Sequence, residues 1–342
     1  MENESTIPLD AWTPAFVVGV LLLSIVCMLS LKPLLASVLI FLFAAMGQLW
    51  IDRQLLSNFG LILEVVPPVL AGLWSIPFFL LVRVMHERRQ VDVDEKSRIV
   101  QELKAAHDMQ MGLMPTDDPK IPGYEISGIC IPADEVGGDF FDYVWLDERK
   151  TRLGIAIGDV SGKAMKAAIT AVLTSGMVYR EVGRNETPKT ILRKINRPMY
   201  LKTERRMFTA MTFAVIDVRK KMLTFSNAGQ MQPMLKRRSV IQSLTVDGVR
   251  LPLGMMEDVD YHEVRVPLQP KDVIIFYTDG VPEAMNAKNE MFGFERLEAI
   301  VKESAATLPA KQLTASIVEK VTEFTGPTKQ HDDMTVVVVR VL

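Results

Sequence analysis

An α/β sandwich behind an apolar, membrane-embedded N-terminal part is the fold class that this 342-residue sequence predicts. Three observations predict it. The first 84 residues are almost wholly apolar and fall into three charge-poor runs. After them the order is strands, two helices, many strands, two helices and one strand. That is not an alternating βα repeat; it suits two stacked sheets with helices outside. Finally, aspartates stand where several apolar strands end: Asp139, Asp159, Asp279 and Asp332.

The apolar runs cover residues 14–31, 34–51 and 61–82. Each has the roughly 18 to 22 residues that cross a hydrocarbon core of about 30 Å. Lys32-Pro33 separates the first two, and Asp52-Arg53 ends the second. A cleaved signal peptide does not fit, because the extreme N-terminus is acidic (Glu2, Glu4, Asp10) and three runs follow one another. Arg83, Arg88 and Arg89 place the end of the third run in the cytoplasm, with the N-terminus outside. The expectation is a multi-pass protein of the plasma (inner) membrane. Trp12 and Trp50 suit interfacial anchors; Trp74 falls mid-span and suits packing. Glu64 sits near the outer end of its run and reaches the interface. Pro67-Pro68 and Pro77 interrupt the helical hydrogen-bond ladder of the third run.

Residues 85–115 are polar, lack glycine before Gly112 and stop at Pro115, which predicts a helical linker continuing from the membrane. Ile99, Leu103, Ala106, Gln110 and Leu113 follow a heptad-like spacing. Two readings fit: a short seam that pairs two chains into a homodimer, or one amphipathic helix packed on the following domain. A linker without a Gly/Ser tether is stiff enough to pass on a shift.

Residues 116–342 form the second domain. Strands are expected at 124–131, 140–146 and 152–158, and helices at 163–182 and 188–200. Thr187 is the expected N-cap of the second helix, with Pro188 in its first turn. Strands follow at 208–218 and 222–226, then two short ones around Arg237-Arg238, then 262–266 and 272–277. Helices at 294–303 and 309–324 precede a last, uninterrupted β-branched strand at 334–342.

A net charge of −2 without a long basic run gives no footprint for nucleic acid. Two cysteines, Cys27 and Cys130, make neither a disulfide framework nor a Cys-rich zinc site; both read as small buried apolar residues.

The chemistry lies in the aspartates. Gly137-Gly138-Asp139, Gly158-Asp159-Val160-Ser161-Gly162-Lys163, Thr278-Asp279-Gly280 and His331-Asp332-Asp333 each place a carboxylate at a strand boundary. One Asp-Gly alone is a turn; four at strand ends are a convergent set. Oxygen-only donors point to Mg²⁺ or Mn²⁺ rather than zinc or copper. Neighbouring glycines let the backbone approach, so the Val160 carbonyl joins the candidate ligands. Two such ions about 4 Å apart, sharing a carboxylate, activate water and stabilise in-line displacement at phosphorus. A phosphate-binding P-loop is excluded, because the glycine spacing is short and Ala164 stands where Ser or Thr is required. Of the four histidines only His331 lies beside the acids, and it reads as a surface loop residue.

Pro132-Ala133-Asp134-Glu135-Val136-Gly137-Gly138-Asp139-Phe140-Phe141-Asp142, the Gly158 to Lys163 stretch, Asn227-Ala228-Gly229, Leu251-Pro252-Leu253-Gly254, Tyr277-Thr278-Asp279-Gly280 and Asp332-Asp333-Met334-Thr335 occur in that order. Together they resemble the SpoIIE/RsbU-type branch of the PP2C-like (PPM) metal-dependent serine/threonine phosphatases, over about residue 100 to the C-terminus. The resemblance implies an αββα sandwich of PP2C type with two Mn²⁺ or Mg²⁺ ions. Asp159 would bridge the ions with the Val160 carbonyl nearby, Asp279 and Asp332 would hold one of them, and Asp139 would complete the set. It further implies phosphoserine or phosphothreonine on a small STAS-type anti-sigma antagonist as substrate, and upstream control through the linker. The chain departs from the family pattern at Ala164, Met165 and Lys166, and at Gln230, where the family has histidine. Two rival functions stand beside this one: a non-catalytic membrane receptor or scaffold that binds a phosphoprotein, and hydrolysis of a small phosphorylated molecule.

Overall fold

The computed structural model describes residues 66–342 apart from 163, 183–185, 204–206 and 306, and for 66–82, 92–94 and 164 it describes the backbone alone. The expected spans at 14–31 and 34–51, Cys27 and the start of the third span lie outside those residues. Among the described residues, no helix is long and apolar enough to cross a membrane. The chain divides into two compact units, Met1–Arg98 and Ile99–Leu342. Helix α1 covers Val66–Leu113 and so ends in the second unit. Among the described residues, every strand belongs to that second unit.

The second unit holds two five-stranded antiparallel sheets. One contains β1 (Tyr124–Ile131), β10 (Met334–Val341), β9 (Val273–Tyr277), β6 (Met234–Arg237) and β7 (Val240–Ser243), in that spatial order. The other contains β2 (Phe140–Trp145), β3 (Arg152–Val160), β4 (Thr209–Asp217), β5 (Met222–Ala228) and β8 (Val264–Pro267). Helices α2 (Ala164–Val182) and α3 (Pro188–Lys202) pack on the second sheet; α5 (Ala310–Thr325) packs on the first, with α4 (Phe294–Ser304) against α5 and β7. This is the expected sandwich, with every strand pair antiparallel.

The uninterrupted β-branched run of β10 now has a cause. Side chains alternate across a strand, and both faces of this strand are covered. Val337 and Val339 enter the core between the sheets with Ile274, Phe276 and Phe213. Val336 and Val338 enter a second core under α4 and α5, with Leu297, Val301, Leu313 and Ile317. Each such buried side chain contributes about 1.5–3 kcal/mol relative to exposure, which favours an apolar residue at each position from Val336 to Val339. On α3 the same logic buries Ile191, Leu192, Ile195 and Met199 along one stripe. Thr187 is its N-cap residue, as expected, but makes no capping hydrogen bond; its hydroxyl meets that of Thr190 at 3.1 Å instead.

Element boundaries shift most where function lies. The strand expected to stop at Gly158 runs on to Val160, because Asp159 pairs with Ala210 and Val160 with Thr209 of β4. Asp159 is therefore a strand residue at the sheet's end rather than a loop residue. The expected heptad seam on α1 also splits. Gln110 is buried against Gly137, whereas Ile99 and Leu113 are 48% and 61% exposed.

Candidate active site

Four strand termini share one rim. β2 begins where β3 ends, Phe140 facing Gly158. β10 begins where β9 ends, Val336 facing Tyr277. The two sheets are stitched together at that rim by Asp139, which is 2% exposed. Its Oδ2 accepts hydrogen bonds from the hydroxyls of Thr278 (2.6 Å) and Thr335 (2.7 Å), one following β9 and one in β10.

Asp159, Asp279 and Asp332 stand close enough to repel one another. Burial, then the Asp279, Asp332 and Asp333 carboxylates, push Asp159 up to about 7. Burial, then Asp332 and Glu283, push Asp279 up to about 6. Burial and the Asp159 charge hold Asp139 well above the usual carboxylate range, against the opposing pull of the two threonine hydroxyls. Among the described residues, no lysine or arginine forms an ion pair with any of these acids. Also among the described residues, no group of three or more acidic, histidine or cysteine side chains is already drawn together as a ready metal cage.

The donor set nonetheless fits hard cations. It is oxygen-only, negatively charged and short of positive charge, which is what Mg²⁺ or Mn²⁺ binds. The backbone leaves room as well. A Cβ on Gly138 would sit 2.6 Å from the Val160 carbonyl oxygen, so only glycine lets the 132–139 segment lie against that carbonyl. Val160 donates its N–H to the Gly138 carbonyl at 3.3 Å, which ties the segment to the end of β3.

Several further residues acquire a role from the structure alone. Asp333 is buried and accepts backbone N–H groups of Ala133, Gly138 and Asp139. Gln110 exchanges two hydrogen bonds with the Gly137 backbone, donating to its carbonyl at 2.7 Å and accepting from its N–H at 3.2 Å. His107 Nδ1 lies 2.6 Å from the Glu135 carbonyl oxygen. Asp142 faces α2, where it accepts hydrogen bonds from Ser175 Oγ (2.7 Å) and Tyr179 OH (3.4 Å). The remaining motifs are supports. Asn227 closes a turn onto Gln230, and Leu253 bridges to Thr209 at the start of β4. Gln230 spends its Oε1 on the Met231 N–H, and its buried Nε2 has no partner among the described residues. His331 is exposed, as a loop residue should be. Cys130 is buried, its thiol pushed far up by burial and so unreactive.

The sequence profile of the family described as Stage II sporulation protein E (SpoIIE) matches residues 149–342. The phosphoserine phosphatase RsbU of Bacillus subtilis is 27% identical over 251 residues, covering 72% of this chain and 71% of RsbU. The phosphoserine phosphatase RsbP of the same organism is 24% identical, covering 54% of this chain and 45% of RsbP. Among solved structures, the PP2C domain of SiaA from Pseudomonas aeruginosa superposes with a TM-score of 0.63 at 23% identity, over 72% of this chain and 98% of that domain. A second fold match is the RsbU and RsbW domains of Rv1364c from Mycobacterium tuberculosis, with a TM-score of 0.57 at 23% identity, covering 65% of this chain and 61% of that one.

Proposed function

This chain belongs to the SpoIIE family and is a serine/threonine protein phosphatase, and from that premise we propose that it is a membrane-tethered, Mn²⁺- or Mg²⁺-dependent enzyme acting on a phosphorylated cytoplasmic regulator. The observation that carries the metal-dependent reading is the convergence of Asp159, Asp279 and Asp332 on one rim without a cationic partner among the described residues. Asp159 would contact both ions, Asp279 and Asp332 would hold one, and Asp139 with the Val160 carbonyl would complete the set. The ions supply positive charge to the phosphoryl oxygens and lower the pKa of the attacking water.

The rest is the work of the chain itself. The strand ends fix the acids in position before substrate arrives, so little reorganisation is needed at the moment of reaction. Thr278 and Thr335 hold Asp139 through Oδ2, so its second oxygen is not taken up by these two bonds. The rim's own negative charge repels a phosphate dianion, so the acids bind substrate only after cations have neutralised them.

The relatives named as phosphoserine phosphatases support a phosphorylated serine as the target; a regulator of STAS type, such as an anti-sigma antagonist, is the substrate that the family resemblance implies. The tether rests on the hydropathy of residues 14–82 and on the basic Arg83, Arg88 and Arg89. It puts the N-terminus outside and the phosphatase domain in the cytoplasm. The exposed Ile99 and Leu113 leave part of the linker free to pair with a second copy.

The full chain in detergent should release phosphate from a phosphoserine peptide and an aryl phosphate with Mn²⁺, and not with EDTA. Equal rates in EDTA would overturn the metal-dependent reading. Preference for nucleotides over phosphopeptides would overturn the protein substrate.

A further inference from the structure

The tandem Asp332-Asp333 divides into two jobs, and we infer that Asp333 is a positioning residue whose carboxylate sets the backbone of residues 133–139 and through it the placement of Asp139 and Val160. The inference deepens the metal-dependent reading and rests on it for its link to catalysis.

Asp333 is 7% exposed and commits both oxygens to backbone N–H groups. Oδ1 accepts from Ala133 at 2.7 Å. Oδ2 accepts from Gly138 at 2.7 Å and from Asp139 at 3.2 Å. The segment lies outside the sheet ladders, so without Asp333 the buried Gly138 and Asp139 amides and the half-buried Ala133 amide would lose these acceptors, and a buried donor left unpaired is costly. A carboxylate suits the place because it only accepts and its bonds are charge-assisted.

The neighbours are cut to fit it. A Cβ on Gly137 would overlap the Asp333 carboxylate, and a Cβ on Gly280, next to Asp279, would overlap the Asp333 carbonyl oxygen. The side chain thus grips one acidic motif while its backbone abuts another. The grip continues to a third, because Gly138, held by Oδ2, takes the Val160 N–H beside Asp159. Asp332 contrasts with it. Its side chain is exposed at the rim, and among the described residues its Oδ1 accepts only the Asp333 N–H, at 2.9 Å. Asp332 is free to face an ion; Asp333 is not.

The test uses the full chain in detergent, with Asp333→Asn and Asp333→Ala, and reads hydrogen exchange amide by amide, Mn²⁺ binding by calorimetry, and steady-state kinetics. Asparagine keeps the shape and one acceptor but turns an NH₂ toward an N–H. It should release the amides of Ala133 or of Gly138 and Asp139 by about tenfold or more in exchange rate, while β9 and β10 keep their protection. Mn²⁺ affinity and kcat should each fall by about 10- to 100-fold, as for other residues that orient metal ligands, with KM for the aryl phosphate within about twofold. Wild-type exchange at 133–139 in both variants would overturn the inference. So would a loss of protection spread evenly over the domain, since that marks a general stability role. Should the wild-type chain bind no Mn²⁺, the metal reading falls, while local release at 133–139 still upholds the Asp333 clamp.

Discussion

Gln110 and Gly137 face each other as two backbone units would, amide against peptide, with one hydrogen bond in each direction. The residue before Gly138 is thus held by a side chain of α1, the helix that reads from sequence as the linker. With His107 beside the Glu135 carbonyl, α1 supports the 132–139 segment from one side and Asp333 from the other.

Replacing Gln110 with Ala strands a buried N–H and a buried carbonyl. The expected cost is about 1–3 kcal/mol of stability and roughly tenfold in phosphatase rate, because the segment that carries Asp139 loosens. Gln110→Glu keeps an acceptor for the Gly137 N–H but sets a carboxylate oxygen against the Gly137 carbonyl, so it should rescue neither loss. Thermal melts and Mn²⁺-dependent phosphate release check both variants. Wild-type rates in Gln110→Ala would show that α1 does not support the site.

Asp159→Asn should separate stability from activity. The variant should lose phosphate release altogether, since the proposed shared ligand is gone. In EDTA it should melt higher than wild type by a few degrees, because Asp159 stands among Asp279, Asp332 and Asp333 without a cation. Functional sites commonly carry such a stability cost. An unchanged or lower melting temperature in EDTA would mean that the acids do not strain the metal-free fold.

Much of the fold is legible in the sequence, for physical reasons that differ by element. β1 and β10 are readable because burial on one or both faces leaves a plain apolar pattern. The end of β3 is not, because Asp159 and Val160 are drawn into the ladder by β4, about fifty residues further on. The acids at the rim are readable as a set, since strand-end aspartates beside glycines are unusual. Their division of labour is not. Asp332 and Asp333 are the same residue type side by side, and only burial and the three N–H groups tell them apart. Gln110 leaves a fainter signal as a polar residue at an apolar heptad position, where it reads as part of a seam. Asp142 lies inside the first family motif, but the hydroxyls that it binds come from α2.

A control away from the rim is available in Asp272, which is 1% exposed, pairs with Arg237 through two hydrogen bonds (3.0 and 2.7 Å) and accepts the Gln269 N–H at 2.8 Å. Asp272→Ala leaves the part-exposed Arg237 guanidinium only the Pro267 carbonyl, at 2.7 Å, and strands the Gln269 N–H, so it should cost about 1–3 kcal/mol. Mn²⁺ affinity at low temperature should stay within about twofold of wild type, since neither residue touches the rim. A large loss of Mn²⁺ affinity in well-folded Asp272→Ala would show that the site is coupled to the whole sheet rather than to its ends.

The pH dependence of the metal-free domain has a sign fixed by Asp159 and Asp279. Their folded values, about 7 and about 6, lie above the unfolded aspartate value near 3.9. Below about pH 4 both states are protonated, and the two groups cost nothing. Between about pH 4 and 7 the unfolded chain has released these protons while the folded chain retains them, so stability falls as pH rises. Above about pH 7 both states are ionised and the full cost remains. Other groups titrate over the same range, so the useful quantity is the wild-type melting temperature in EDTA minus that of Asp159→Asn. It should become more negative from pH 4.5 to 7.5 and then level off. Mn²⁺ competes with these same protons, so the rise in wild-type melting temperature on adding Mn²⁺ should grow over that interval. A difference that stays flat with pH would place the Asp159 carboxylate in a neutralised setting and remove the electrostatic argument for a cation at the rim.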